Sequence, residues 1–284
     1  MSDLVRLSYS AMRSFQTCQR KYYYEYVRRL QPTGRRLPLE FGSAWHEALS
    51  AYFKTQQLQP ALDTFNAHFT DSPDDTLRTQ ATAKRMLTRY TEKYPLDSVT
   101  LIADEQWLEL PIGSLALYVM KIDKLVRWHD APYIMEHKTT SGYQGITSSF
   151  LKSFKPNLQL RGYVKGVTEL RGPEYTSVLL DLAWVGRGEP KSGEAFLRYE
   201  EPVETWELEE FEMAVNTVAQ EIAVIRDNIL DVHEAYTPDW SRCHDFGGCP
   251  FRPVCSAAPS IRERIIAESY ELKPVREEKV DGLE

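Results

Sequence analysis

The 284-residue chain has no apolar run approaching membrane-spanning length, for which about 20 consecutive apolar residues are needed. Its opening, Met1 to Arg6, lacks the apolar stretch of a secretory signal. A cytoplasmic protein with no membrane partner is therefore expected. Cysteine is scarce, at four residues. A chain of this size can bury a core without covalent staples, and in a reducing compartment the four thiols are not expected to pair as disulfides. Internal repeats and low-complexity tracts are absent. So is an excess of positive charge: 34 Lys and Arg face 41 Asp and Glu, a formal charge of −7. That balance weighs against non-specific nucleic-acid binding unless local patches override it. A complete phosphate-binding loop is missing as well. Gly186 to Ser192 follows a strand-like segment, but Pro190 stands where the second glycine is required and the next segment reads as a strand. It is expected to be a hairpin loop, which leaves the chain without an ATPase or helicase motor of its own.

The composition, 42% apolar and 26% charged, is that of an ordinary globular protein. Ser8 or Ser10 is placed to cap a helix reaching about Val27, with Phe15, Cys18, Tyr22 and Tyr26 on its inner face. A second helix is expected over 41–54, carrying Trp45 and His46, and polar helical segments run to about Tyr94. Strands follow over 99–110, 115–128 and 133–139. Pro156 suits the first turn of a helix to about Leu170. Residues 175–185 and 195–199 read as paired strands, 204–229 as a long helix, and the residues from about Ile261 as a charged tail. Helices, then a meander, then mixed elements imply an α/β chain that is not doubly wound.

Side chains alternate along a strand, so Glu136 and Lys138 project from one face. Asp123 lies on the preceding strand, and a hairpin would bring it beside Glu136. Alone, Glu-x-Lys is an ordinary solvent-facing pair. Here the run 115–120 before Lys121-Ile122-Asp123 and the pair Ile134-Met135 before Glu136 make both strands look interior. Two buried carboxylates are costly unless they share a cation, and hard cations such as Mg²⁺ or Mn²⁺ prefer oxygen ligands. Lys138 would then steady developing negative charge or orient the attacking water. His46 sits on an otherwise apolar helix, where a lone histidine is more often a core residue. Gln159 and Tyr163 stand four apart on one helix face. Two basic groups, Arg28, Arg29, Arg35 and Arg36, then Lys152, Lys155, Arg161 and Lys165, suit either phosphates or plain solvent.

Cys243, Cys249 and Cys255 are separated by five residues each, and Cys18 stands far upstream. Thiolates suit zinc and iron–sulfur clusters. Structural zinc usually takes closer pairs, and free thiols are the third alternative.

Taken together and in order, these pieces resemble the RecB-like branch of the PD-(D/E)XK nuclease superfamily. The likeness is carried by Leu7 to Ser10, by Phe15 to Tyr24 with Cys18, Arg20 and Lys21, by Gly42 to His46 as G-x-x-x-H, by Asp123, by Glu136-His137-Lys138 as (D/E)-x-K, and by Gln159 to Tyr163 as Q-x-x-x-Y. Ile122 replaces the proline of the superfamily name. The resemblance implies a restriction-endonuclease-like core, a mixed sheet flanked by helices. It implies one nuclease domain over 1–260: a helical part to 98, a catalytic sheet to 200, and the long helix with the cysteines. The charged tail occupies 261–284. It implies Mg²⁺ or Mn²⁺ on His46, Asp123 and Glu136, with Lys138 catalytic. Gln159, Tyr163, Arg20 and Lys21 would contact DNA. The cysteines resemble the subset in which Cys18, Cys243, Cys249 and Cys255 hold a 4Fe–4S cluster that clasps the N- and C-terminal segments. The spacing departs from that subset, many members of which have C-x-x-C early in the trio. The implied activity is a DNA exonuclease on ends or single strands, in repair, recombination or phage DNA processing. Alternatives are a CRISPR-associated or recombination-complex nuclease trimming DNA with a partner, and a non-catalytic DNA-binding adaptor. Partners implied are DNA with a second copy of the chain or a helicase.

Overall fold

The computed structural model describes residues 4–95, 99–227 and 235–274. In chain order its elements begin with β1 (Val5–Leu7), α1 (Tyr9–Thr17), and α2 (Gln19–Tyr22) running into a π-helical turn (Tyr23–Val27). Then come β2 (Leu30–Pro32), α3 (Leu37–Thr55), α4 (Leu58–His68) and α5 (Gln80–Lys93). The middle of the chain holds β3 (Val99–Ile112), β4 (Ala116–Trp128), β5 (Ala131–Thr140), the short α6 (Ser148–Leu151), α7 (Leu158–Arg171), β6 (Ser177–Trp184) and β7 (Phe196–Pro202). It closes with α8 (Thr205–Asp227), a helical turn (Arg252–Cys255), a helix (Pro259–Ser269) and β8 (Tyr270–Leu272).

The described residues divide into two compact units, one within 35–108 and 121–208, the other drawn from 4–34, 109–120, 209–227 and 235–274. In the first, β4 pairs antiparallel with β5, β5 parallel with β6, and β6 antiparallel with β7. β3 also pairs with β4. A parallel neighbour needs a crossover, and α7 supplies it between β5 and β6. The result is the expected mixed sheet. One face buries Val126, Met135, Leu179, Ala183 and Phe196 against α3, α4 and α5. Helix α3 can do this because Phe41, Ala44, Trp45, Ala48, Leu49, Tyr52 and Phe53 recur at helical spacing and are all buried. On α7 the Asn157 side chain caps the N–H groups of Gln159 and Leu160, which fixes the angular position of every later residue on that helix. Pro156 therefore precedes the cap and does not lie in the first turn as its sequence position suggests. The loop from Gly186 to Ser192 joins the antiparallel strands β6 and β7, as expected for a hairpin.

In the second unit β1 pairs parallel with the first residues of β4, Val5 with Ala116 through Leu7 with Tyr118. β2 pairs antiparallel with β8, Leu30 with Leu272. The tail from Ile261 is thus ordered as far as residue 274, and its remainder lies outside the described residues, as does the end of the helix expected to reach 229. A small core forms from Tyr24, Leu30, Phe251, Val254, Ile266 and Tyr270.

The expected single helix from Ser8 to Val27 is interrupted. Ser8 caps α1, accepting from the Ala11 N–H at 3.2 Å. Cys18 is extended, at φ −165° and ψ 110°, and separates α1 from α2. It therefore does not share one continuous inner face with Phe15, Tyr22 and Tyr26. The break is held from outside the helix: the Arg20 N–H donates to the Thr237 carbonyl at 3.1 Å.

Candidate active site

The strands set the site's geometry. The β4–β5 register pairs Lys124 with Met135, so one step further Asp123 lies opposite Glu136. The Oδ2 of Asp123 accepts the His137 backbone N–H at 2.9 Å. His46, from α3, brings Nδ1 to 3.3 Å of the same oxygen. On β5 the Lys138 ammonium pairs with Oε1 of Glu136. Glu136 is 2% exposed, and its Oε2 is buried without a hydrogen-bond partner among the described residues.

The two carboxyls are held in opposite protonation regimes. Burial pushes Asp123 up, but the His46 ring beside it and the His137 N–H outweigh burial and hold it well below the usual carboxylate range. Burial, then the charge of Asp123, pushes Glu136 up to about 7, with Lys138 opposing. Neighbouring carboxylates that resist joint ionisation are a setting in which a cation is favoured.

From the α7 side, the Tyr163 hydroxyl donates to Oε1 of Glu136 at 3.5 Å, and Nε2 of Gln159 donates to the Tyr163 oxygen at 2.8 Å. The i, i+4 pair therefore points at the acid cluster. The basic groups are largely engaged elsewhere. Arg161 pairs with Glu207 at 2.9 Å, Lys155 with Glu201 at 3.2 Å, and Lys165 with Glu169. Arg28 pairs with Glu263 and Arg35 with Glu40. Arg20, read from the sequence as a DNA contact, is buried, and its Nε donates to the Tyr236 carbonyl at 2.7 Å. That placement ties down chain and does not present a cation to phosphate. Lys21 instead lines a cavity of about 530 Å³ together with Tyr9, Arg13, Cys18, Cys243 and Cys249.

Behind the acid cluster lie groups that sequence reasoning missed. His137 is fully buried, with Nδ1 2.9 Å from Oδ2 of Asp181, close but misaligned for a hydrogen bond. Burial, then Lys124, lowers its imidazole to about 4, so the ring is neutral. Asp181 also accepts from the Tyr90 hydroxyl and from Nε of Arg198 at 3.3 Å. Burial pushes Asp181 up, but the Arg198 guanidinium, with the Tyr90 hydroxyl, outweighs it and holds it at about 2. Lys124 is 1% exposed and lies 3.2 Å from Asp104, which also binds Ser50 and Lys54. The available signal was an isolated charge inside an apolar strand, Asp181 within 177–184; Lys124 directly follows Asp123 and so did not stand out.

All four cysteines are free and half-buried. Glycines at positive φ, Gly247 and Gly248, turn the chain so that the Cys249 N–H reaches the Cys243 carbonyl at 2.9 Å. The Sγ of Cys18 accepts the Asp239 N–H at 3.3 Å. Burial, then the neighbouring thiol of Cys249, pushes Cys255 up to about 11, and Cys18 and Cys243 add to the effect. Cys18, Cys243 and Cys249 line one cavity, and Cys249 and Cys255 both pack against the small core around Tyr24 and Phe251. Among the described residues, no group of three or more His, Cys, Asp or Glu side chains is gathered tightly enough to ligate an ion as it stands. The donor chemistry nonetheless fits: oxygens and an imidazole with an orphaned carboxylate oxygen suit a hard divalent cation, and four thiols suit an iron–sulfur cluster.

A Eubacterium rectale protein provisionally named an exonuclease shares the fold, with a TM-score of 0.50 at 15% identity over 85% of this chain and 86% of that one. The protein SSO0001 aligns with a TM-score of 0.36 at 11% identity, over 90% and 88% of the two chains. No curated protein matches the sequence. The family model of the PD-(D/E)XK nuclease superfamily matches residues 6–256, and the chain belongs to that superfamily. No described helix is long and apolar enough to cross a membrane.

Proposed function

We propose that the protein is a metal-dependent DNA exonuclease of the cytoplasm, acting on DNA ends or single strands during repair, recombination or phage DNA processing. The observation that carries the reading is the meeting of His46, Asp123, Glu136 and Lys138 around a buried carboxylate oxygen that has no hydrogen-bond partner among the described residues. His46, Asp123 and Glu136 would hold Mg²⁺ or Mn²⁺, the cations typical of the superfamily. When bound there, the cation supplies Lewis-acid polarisation of a phosphate and lowers the pKa of the attacking water. Lys138, which pairs with Glu136, would donate to the charge that builds on the phosphoryl oxygens. Gln159 and Tyr163 would orient the strand by hydrogen bonds to its backbone. The water oxygen would bond to phosphorus, the phosphorus–oxygen bond to the departing nucleotide would break, and the proton lost by the water would end on the departing oxygen. Cys18, Cys243, Cys249 and Cys255 would hold a 4Fe–4S cluster with a structural role.

Linear and covalently closed circular DNA incubated with the protein and Mn²⁺ test the reading. Degradation of the linear form alone, abolished by Lys138→Ala, is the expected result. Cutting of the circle would replace exonuclease by endonuclease. If neither form is degraded and Lys138→Ala behaves like the wild type, the nuclease reading fails.

A further inference from the structure

We propose that His137 and Asp181 are positioning residues that fix the acid pair from the far face of the sheet. This rests on the nuclease reading. In the parallel register of β5 and β6, His137 stands directly across from Asp181. Side chains alternate along β5, so the ring of His137 and the carboxyl of Glu136 project from opposite faces. The same residue that carries this ring donates its backbone N–H to Oδ2 of Asp123. Holding the ring therefore holds the N–H that aims Asp123, and it holds the peptide that leads out of Glu136.

The ring is held on every side. Asp181 lies 2.9 Å from Nδ1. Asp181 is itself clamped by the Tyr90 hydroxyl from α5 and by Arg198 from β7. Phe53 and His46 of α3 close over the ring, at centroid distances of 6.0 and 5.8 Å. His137 and Asp181 are 0% and 1% exposed. A buried ionic network is weak evidence for stability, because well-packed apolar residues of similar volume often serve as well or better. What an apolar replacement does not reproduce is the close polar contact of Nδ1 with the Asp181 carboxylate, 2.9 Å away, made by the residue whose peptide lies between Glu136 and Lys138. Outer-shell partners of this kind typically change metal affinity or activity by about 10- to 100-fold when removed.

The test compares His137→Leu, His137→Asn and Asp181→Asn with the wild type. Three properties are read: kcat and KM on linear DNA, Mn²⁺ binding by calorimetry without DNA, and thermal unfolding. His137→Leu and Asp181→Asn are expected to lower kcat about 10- to 100-fold with KM for DNA within about twofold, and to weaken Mn²⁺ binding about tenfold. His137→Asn, whose amide nitrogen takes the place of Nδ1, is expected to recover most of that loss. A melting temperature that falls while kcat and Mn²⁺ affinity stay at wild-type values would mean a structural role and overturn the proposal, as would identical behaviour of the Leu and Asn variants. If His137→Leu does not fold, the Asp181→Asn and His137→Asn arms decide by the same readouts. Failure of the nuclease reading looks different: the wild type itself then degrades no DNA.

Discussion

Nδ1 of His46 lies 3.3 Å from Oδ2 of Asp123, an oxygen that also accepts the His137 N–H. One carboxylate oxygen thus joins a helix side chain to the peptide between Glu136 and Lys138. His46→Ala removes a ligand of the proposed cation site and leaves Asp123 without its imidazole partner. Mn²⁺ affinity and kcat/KM are both expected to fall at least tenfold, roughly the lower bound known for groups one shell further out. Calorimetry and a linear-DNA assay on the same preparation check it. Wild-type values in both would remove His46 from the site.

In the proposed nuclease, variants of Gln159 and Tyr163 would separate strand positioning from chemistry. The Tyr163 hydroxyl receives the Gln159 amide at 2.8 Å and itself reaches Glu136 at 3.5 Å. Gln159→Ala is expected to raise KM for DNA several-fold with kcat nearly unchanged. Tyr163→Phe should lower kcat by less than about tenfold, since the weak contact it deletes is to a carboxyl that keeps Lys138, and it should also raise KM because the Gln159 amide loses its acceptor. The reverse pattern, with kcat lost on Gln159→Ala, would place the amide at the reacting phosphate.

A stability prediction comes from Lys124 and Asp104. Burial pushes Asp104 up, but Lys124, Lys54 and Ser50 outweigh it and leave its pKa below the ordinary value. A carboxyl lowered on folding adds stability above its unfolded pKa, about 4, and loses it as pH falls through the folded value. Asp104→Asn also strands Lys124, which is 1% exposed, and breaking a buried pair typically costs about 3–5 kcal/mol. The gap between wild type and Asp104→Asn in urea unfolding should be constant from pH 5 to 8 and narrow below pH 4. A gap that persists unchanged to pH 2 would mean that Asp104 contributes shape and no charge.

The elements were legible wherever one force dominated. Period-two and helical patterning located β3 to β7 and α3 within a few residues, because each buries one face or both. Asp123, Glu136 and Lys138 stood out because alternation and a short hairpin connection leave little choice of neighbour. Cys18 was misplaced because α1 to α2 looks continuous to a helical pattern. What breaks it is a backbone bond from Arg20 to Thr237, a partner more than 200 residues away that no local signal reports. Arg20 misled for the same reason: its carbonyl partner on Tyr236 is distant, and a basic pair reads as surface. The His137–Asp181 contact was invisible until β6 was registered against β5, since parallel register depends on the crossover.

The cysteines provide the last prediction. If Cys18, Cys243, Cys249 and Cys255 ligate a 4Fe–4S cluster, protein purified without oxygen should be brown, with a broad band near roughly 400 nm from sulfur-to-iron charge transfer. It should contain about four irons per chain. The Asp239 N–H that meets the Cys18 sulfur at 3.3 Å would then tune the cluster, because hydrogen bonds to sulfur shift its potential. Cys18→Ser should bleach the band and lower the melting temperature by several degrees, as expected when a long loop between residues 18 and 243 loses its closure. Because the clasp and the acid cluster lie in separate units, residual DNA cleavage by folded Cys18→Ser is expected, whereas Lys138→Ala should keep the colour and lose the cleavage. Colourless protein with one zinc and no iron would exclude the cluster while leaving the acid site untouched.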